Sequence, residues 1–181
     1  PSETGVQSDK IYDADLWVVS PGISKNNEIV LEANRKGVPI VGEIEFASWF
    51  TDSPIIAITG SNGKTTTAHI LSEMCQNKDI NGVMAGNMGL PFSERVLNET
   101  LAPDKNRLYI LEVSSFQMEF TKNFSPDFAV FTNISEDHLD RHNTMKEYIQ
   151  LKMDLAKNLK KEGSIIYNRD DNELHEALKN N

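Results

Sequence analysis

Seven short apolar runs, each of strand length, punctuate the chain at 15–20, 38–41, 54–59, 82–86, 107–113, 127–133 and 164–168. Between most of them lie segments whose apolar residues recur every three or four positions, the spacing of a helix that buries one face. A strand that returns to its sheet through a helix comes back parallel to where it started. The rhythm therefore predicts an α/β fold, a mainly parallel sheet with helices on both faces.

The runs fall into two groups. "DLWVVS", a helix in "NNEIVLEANRKG" closed by Gly37, and "VPIV" form a β-α-β piece that reads as the end of one domain. "GEIEFASWFTDS" reads as a connecting helix, and a second series of strands opens at Pro54. That series ends in "ELHEALKNN" with no evident closing element.

The turn between the first strand and helix of the second series carries the chemistry. In "PIIAITGSNGKTTTAHI", Ile55 to Ile58 run into Thr59-Gly60, and a helix begins after Gly63 with Ala68, Leu71, Met74 and Cys75 facing the sheet. A strand, a glycine-rich turn and a helix N-terminus together aim backbone N–H groups and the helix dipole at one anion. Lys64 adds a full charge for outer phosphates, and the Thr65 hydroxyl can ligate Mg²⁺. The common phosphate loop places four residues between its glycines, whereas two separate Gly60 from Gly63. The bland alternative is a tight turn with a solvated lysine.

Three further features sit at strand or helix positions that matter. Glu112 ends an apolar strand, where ligands of open α/β sheets bind, and can meet a Mg²⁺ held by phosphates. "FTNISEDHLDRH" packs Glu136, Asp137, His138, Asp140, Arg141 and His142 just after another strand, which suits either a solvated loop or a metal and phosphoryl-transfer site. In "TMKEYIQLKMDLAKNL", opened by the capping pair Thr144 and Glu147, Lys152 stands in the apolar stripe of Tyr148, Leu155, Ala156 and Leu159. Such a lysine either snorkels to water or is buried, where a neutral amine can take up CO₂ as a carbamate and ligate metal.

Composition limits the partners. A net charge of -9 argues against a nucleic-acid backbone, so any phosphate must be held locally. No run is long enough to span a membrane, the opening "PSETGVQSDK" is no signal peptide, and the single cysteine fits a reducing compartment. The expectation is a cytoplasmic monomer in which Cys75 is a small buried apolar residue.

Together these motifs resemble the ATP-dependent Mur ligases of peptidoglycan synthesis, relatives of folylpolyglutamate synthase. Their phosphate loop has the short form T-G-x-N-G-K-[ST]-[ST], which "TGSNGKTT" reproduces. Within the family, "SPGIS", "GEIEF", "GNMGLP" and "LEVSSFQME" are similar to the D-glutamate-adding branch. The Ser-Phe-Gln after Glu112 discriminates, because the branch adding diaminopimelate or lysine has Ser-His there and the folate relative a glycine-rich segment.

The resemblance implies roles residue by residue. Gly60, Ser61, Asn62 and Gly63 would cradle ATP, with Lys64, Thr65 and Thr66 completing the site. Thr65 and Glu112 would bind one Mg²⁺, His138 a second, and Lys152 would be the carbamylated lysine. Lys64, Glu112, His138 and Lys152 would thus serve catalysis, while Asp137, Asp140 and Arg141 share the motif without separable roles. Asn87, Ser114 and Gln117 would touch the UDP-sugar, and Ser20, Pro21 and Gly22 would lie near its diphosphate. The implied reaction activates the carboxylate of UDP-N-acetylmuramoyl-L-alanine with ATP as an acyl phosphate, which the amine of D-glutamate converts to an amide.

Length departs from the resemblance, since the family has three domains. Residues 1–46 are expected to be the C-terminal part of the UDP-substrate domain and 47–181 the N-terminal part of the ATP domain, the amino-acid-binding domain being absent. Alone, such a chain is expected to be inactive as a ligase. The other readings are a sister ligase for another amino acid, a phosphate-loop nucleotide binder without ligase activity, and a non-enzymatic binding remnant.

Overall fold

Two parallel sheets, of two and five strands, organise the chain. The computed structural model describes residues 8–76, 78–135 and 144–179. In the smaller sheet β1 (Trp17–Val19) pairs with β2 (Ile40–Gly42) across helix α1 (Glu28–Arg35). Asn27 starts α1 by accepting the Ile29 N–H at 2.9 Å, and Gly37, at φ 77°, turns the chain into β2.

The larger sheet has the order β4 (Asn81–Gly86), β5 (Arg107–Glu112), β3 (Ile55–Thr59), β6 (Phe128–Phe131), β7 (Ser164–Tyr167). All its pairings are parallel, as the alternating pattern predicts. From β3 the chain passes to β4 and β5 on one side and then to β6 and β7 on the other. The C-terminal edge of β3 is consequently a topological switch point, where such sheets bind ligands.

Side-chain alternation divides the core. Ile55, Ala57, Tyr109, Leu111, Ala129 and Phe131 belong to one buried cluster with residues of α2 (Glu43–Ser48), α4 (Phe92–Leu101) and α6 (Met145–Lys157). Ile58 and Ile110 meet Ala68 and Cys75 of α3 (Lys64–Gln76) in another. Cys75 is buried as expected. Met74, expected on the same face, is 59% exposed. At 3.6 residues per turn it lies about 100° round the helix from Cys75, past the width that the sheet covers.

Polar side chains start α6 and the helix after it. Thr144 accepts the Glu147 N–H at 3.1 Å, the start signal read from the sequence for α6. Helix α7 (Asn172–Lys179) follows β7 over the stretch that showed no evident closing element in the sequence, begun by the Asp171 carboxylate, which accepts the Leu174 N–H at 3.0 Å and also the Ile134 N–H at 2.9 Å. Among the described residues, no helix is long and apolar enough to cross a membrane.

The two sheets are stitched together through the turn after α5 (Ser115–Met118). Phe120 is buried in the core of the smaller sheet with Val19, Val30 and Ile40, and its carbonyl accepts the Gly42 N–H at 2.9 Å. Burying a phenylalanine there contributes about 2 kcal/mol. Glu45, fully buried on α2, accepts the backbone N–H groups of Lys122, Asn123 and Phe124 at 2.9, 2.9 and 2.8 Å. The expected division after residue 46 lies inside α2, whose Ile44 and Ala47 join the core of the larger sheet.

Candidate active site at the strand ends

The loop from Gly60 to Gly63 connects β3 to α3 at the switch point. Gly60 has φ 143°, and a Cβ there would stand 1.9 Å from Thr132 Oγ1, so no other residue fits. The Lys64 ammonium folds back and donates to the carbonyls of Gly60 and Ser61, both at 2.9 Å. Ser61 is buried, its hydroxyl 2.9 Å from the Tyr148 hydroxyl and donating to the Ser135 carbonyl at 2.9 Å. The N–H groups of Ser61 and Asn62 are taken by Asn133. An anion at this turn would therefore meet the first turn of α3, at Lys64, Thr65 and Thr66, whose N–H groups have no acceptor within a helix.

Glu112 closes β5 beside this turn. It is 3% exposed and accepts from the Thr65 hydroxyl at 2.7 Å and the Asn87 side-chain amide at 3.1 Å. Register explains the meeting, since Glu112 is opposite Ile58 of β3 and Gly86 of β4. Gly86 must lack a Cβ, which would stand 2.3 Å from the Glu112 carbonyl oxygen. The Thr65 hydroxyl and a carboxylate side by side are the hard oxygen donors that Mg²⁺ takes.

Lys152 settles one of the alternatives left open by its stripe. It is 1% exposed, so it does not snorkel. Its amine donates to the Gly60 carbonyl at 3.0 Å, lies 3.4 Å from Thr59 Oγ1 and sits 4.4 Å over the Tyr148 ring. Two lysines thus share one loop carbonyl. Lys64 and the N-terminus of α3 give this corner the positive character that suits a polyanion.

The residues expected to touch a UDP-sugar fall between the sheets. Ser20, Pro21, Asn87 and Gln117 line one cleft of about 450 Å³, with Glu43 and Pro91 on its walls. Gly22 and Ser114 are outside that lining. Ser114 instead forms a capping box with Gln117, accepting its N–H at 3.3 Å while Gln117 Oε1 accepts the Ser114 N–H at 2.9 Å. Asp137, His138, Asp140 and Arg141 lie outside the described residues. Asn133 and Tyr148, which hold the loop, escaped the reading as site residues. The signal for Tyr148 was its place four residues before Lys152, on the same helix face.

A family model for the Mur ligase middle domain matches residues 58–181. The chain belongs to the Mur ligase family. It is 39% identical over 173 residues to the UDP-N-acetylmuramoylalanine--D-glutamate ligase of Christiangramia forsetii, a match covering 95% of this chain and 38% of that protein. It is 41% identical over 181 residues to the enzyme of the same name from Salinibacter ruber, covering 97% and 38%. The chain thus spans well under half the length of these curated relatives. Among solved structures, the UDP-N-acetylmuramate:L-alanyl-gamma-D-glutamyl-meso-diaminopimelate ligase of Neisseria meningitides superposes with a TM-score of 0.65 at 18% identity, over 95% of this chain and 57% of that one. The MurF ligase of Thermotoga maritima in complex with ADP gives 0.58 at 22%, over 91% and 44%. These structural matches bear out the α/β fold.

Proposed function

We propose that this chain is the ATP-gripping part of an amide ligase that joins D-glutamate to UDP-N-acetylmuramoyl-L-alanine in peptidoglycan precursor synthesis. One observation carries the reading: Glu112 with Thr65, and Lys64 with Lys152, converge from three elements, α3, β5 and α6, on one edge of the sheet. The names of the relatives supply the amino acid. In this reading 1–46 belong to the UDP-substrate domain and 47–181 to the ATP domain of a cytoplasmic monomer.

Lys64 would leave the carbonyls of Gly60 and Ser61 for the outer phosphates, a move between two sets of acceptors that costs little. Ser20, Pro21, Asn87 and Gln117 would hold the nucleotide-sugar so that its free carboxylate faces the γ-phosphate. Attack there gives an acyl phosphate and ADP, and the D-glutamate amine then displaces phosphate to form the amide. Mg²⁺, held by Thr65, Glu112, His138 and a carbamylated Lys152, would neutralise the charge that gathers on the phosphates. The carbamate would form as the Lys152 nitrogen bonds the carbon of CO₂ and gives up a proton, and its remaining N–H could still meet the Gly60 carbonyl.

The test is phosphate release from Mg-ATP by the parent-length enzyme with UDP-N-acetylmuramoyl-L-alanine, offering D-glutamate beside L-glutamate, L-lysine and diaminopimelate. Release that requires D-glutamate supports the reading. Release with another amino acid reassigns the chain to a sister ligase, and none with any leaves a nucleotide binder.

A further inference from the structure

We infer that Asn133 is a positioning residue that sets the shape of the nucleotide loop, with Thr132 as its partner. The inference rests on reading that loop as the phosphate site. Asn133 follows β6 and is not part of the loop, yet its side chain meets both the N–H and the C=O of one loop residue, Asn62. Its Oδ1 accepts the Asn62 N–H at 2.9 Å, and its Nδ2 donates to the Asn62 carbonyl at 3.0 Å. The Asn133 carbonyl accepts the Ser61 N–H at 3.0 Å, and the Thr132 hydroxyl donates to the Asn62 carbonyl at 2.6 Å. A side-chain amide is suited to this, because it carries one acceptor and two donors in a plane, matching the N–H and C=O of a single residue. Aspartate lacks the donor and alanine lacks both.

The clamp explains two features of the loop. Gly60 is confined to glycine because Thr132 and Asn133 stand where its Cβ would be, at 1.9 and 3.0 Å. The clamp also occupies the Asn62 N–H, so that phosphate would be met by the helix turn and Lys64. Released from the clamp, the Asn62 peptide would be free to rotate, and the loop would have to be reordered by each nucleotide it binds.

The test pairs amide hydrogen exchange at Asn62 with MgADP affinity in the full chain, comparing wild type with Asn133→Ala and Thr132→Val. Asn133→Ala is expected to speed exchange at Asn62, leave the strand amides of β3 and β5 protected, and weaken MgADP about tenfold. Thr132→Val, which keeps the asparagine fork, is expected to weaken it by about threefold and serves if the alanine variant does not fold. Unchanged exchange at Asn62 would overturn the clamp. Faster exchange with unchanged affinity would overturn the positioning role. If wild type itself fails to bind MgADP, the phosphate-site reading falls first and takes this role with it, a result distinct from either of the others.

Discussion

Glu45 and Glu112 are both buried acids, and they are held in opposite ways. At the junction between the sheets, Glu45 is gripped by three backbone N–H groups and the Trp49 indole at 3.1 Å. At the strand ends, Glu112 is held by the Thr65 hydroxyl and the Asn87 amide, which are side chains and can rotate. Backbone donors cannot leave without unfolding the turn at 122–124. The difference teaches where the fold is fixed and where it can exchange partners: the junction holds the cleft between the sheets in shape, and the side chains at the strand edge are free to turn to another partner.

Substitutions can break this contrast. Lys64→Ala should have the largest effect, lowering ligase turnover in the parent-length enzyme by about a thousandfold with little change in melting temperature. Glu112→Gln should lower turnover by about a hundredfold, again with a nearly unchanged melt. Glu45→Ala should do the reverse, reducing unfolding free energy in urea by about 3 kcal/mol because three backbone N–H groups, that of Phe124 buried, lose their acceptor. If Glu112→Gln proved the more destabilising of the two, the contrast would be wrong.

The contrast extends to pH. Burial by itself would push the Glu45 carboxyl up, but the N–H groups of Lys122, Asn123 and Phe124 and the indole outweigh it and hold the group below its ordinary value of 4.5. A lowered carboxyl stabilises the fold above its unfolded pKa, and that contribution is lost as pH falls through the folded pKa. Urea melts of wild type should therefore weaken on acidification below about 4.5, and Glu45→Gln should flatten that slope. Smallest of all is Lys25, whose amine meets Glu147 at 2.8 Å between partly exposed side chains. Lys25→Ala should cost under about 1 kcal/mol, and less in high salt.

The strands were legible because each is an apolar run with a period of its own, and parallel order followed from the helices between them. The loop was legible because glycine, lysine and threonine sit at fixed offsets along one stretch of chain. Lys152 was half legible: its stripe position was plain, but only the packed structure shows the Gly60 carbonyl and Tyr148 ring that receive it. Glu45 was not legible, since its three donors come from residues far along the chain and nothing local marks their approach. Asn133 was hidden for the same reason, its partners Ser61 and Asn62 lying about seventy positions earlier in the chain, after the neighbouring strand β3. Met74 was misread because spacing gives a helix face but not the width of the surface that covers it.

The most direct test of the exchangeable strand edge is the Mg²⁺ dependence of ADP binding, measured by titration calorimetry on wild type and Glu112→Gln. The account predicts that Mg²⁺ strengthens ADP binding in wild type and does so far less in the variant, whose melting temperature stays near that of wild type. Equal strengthening in both proteins would contradict it, because Glu112 would then be a structural acid like Glu45.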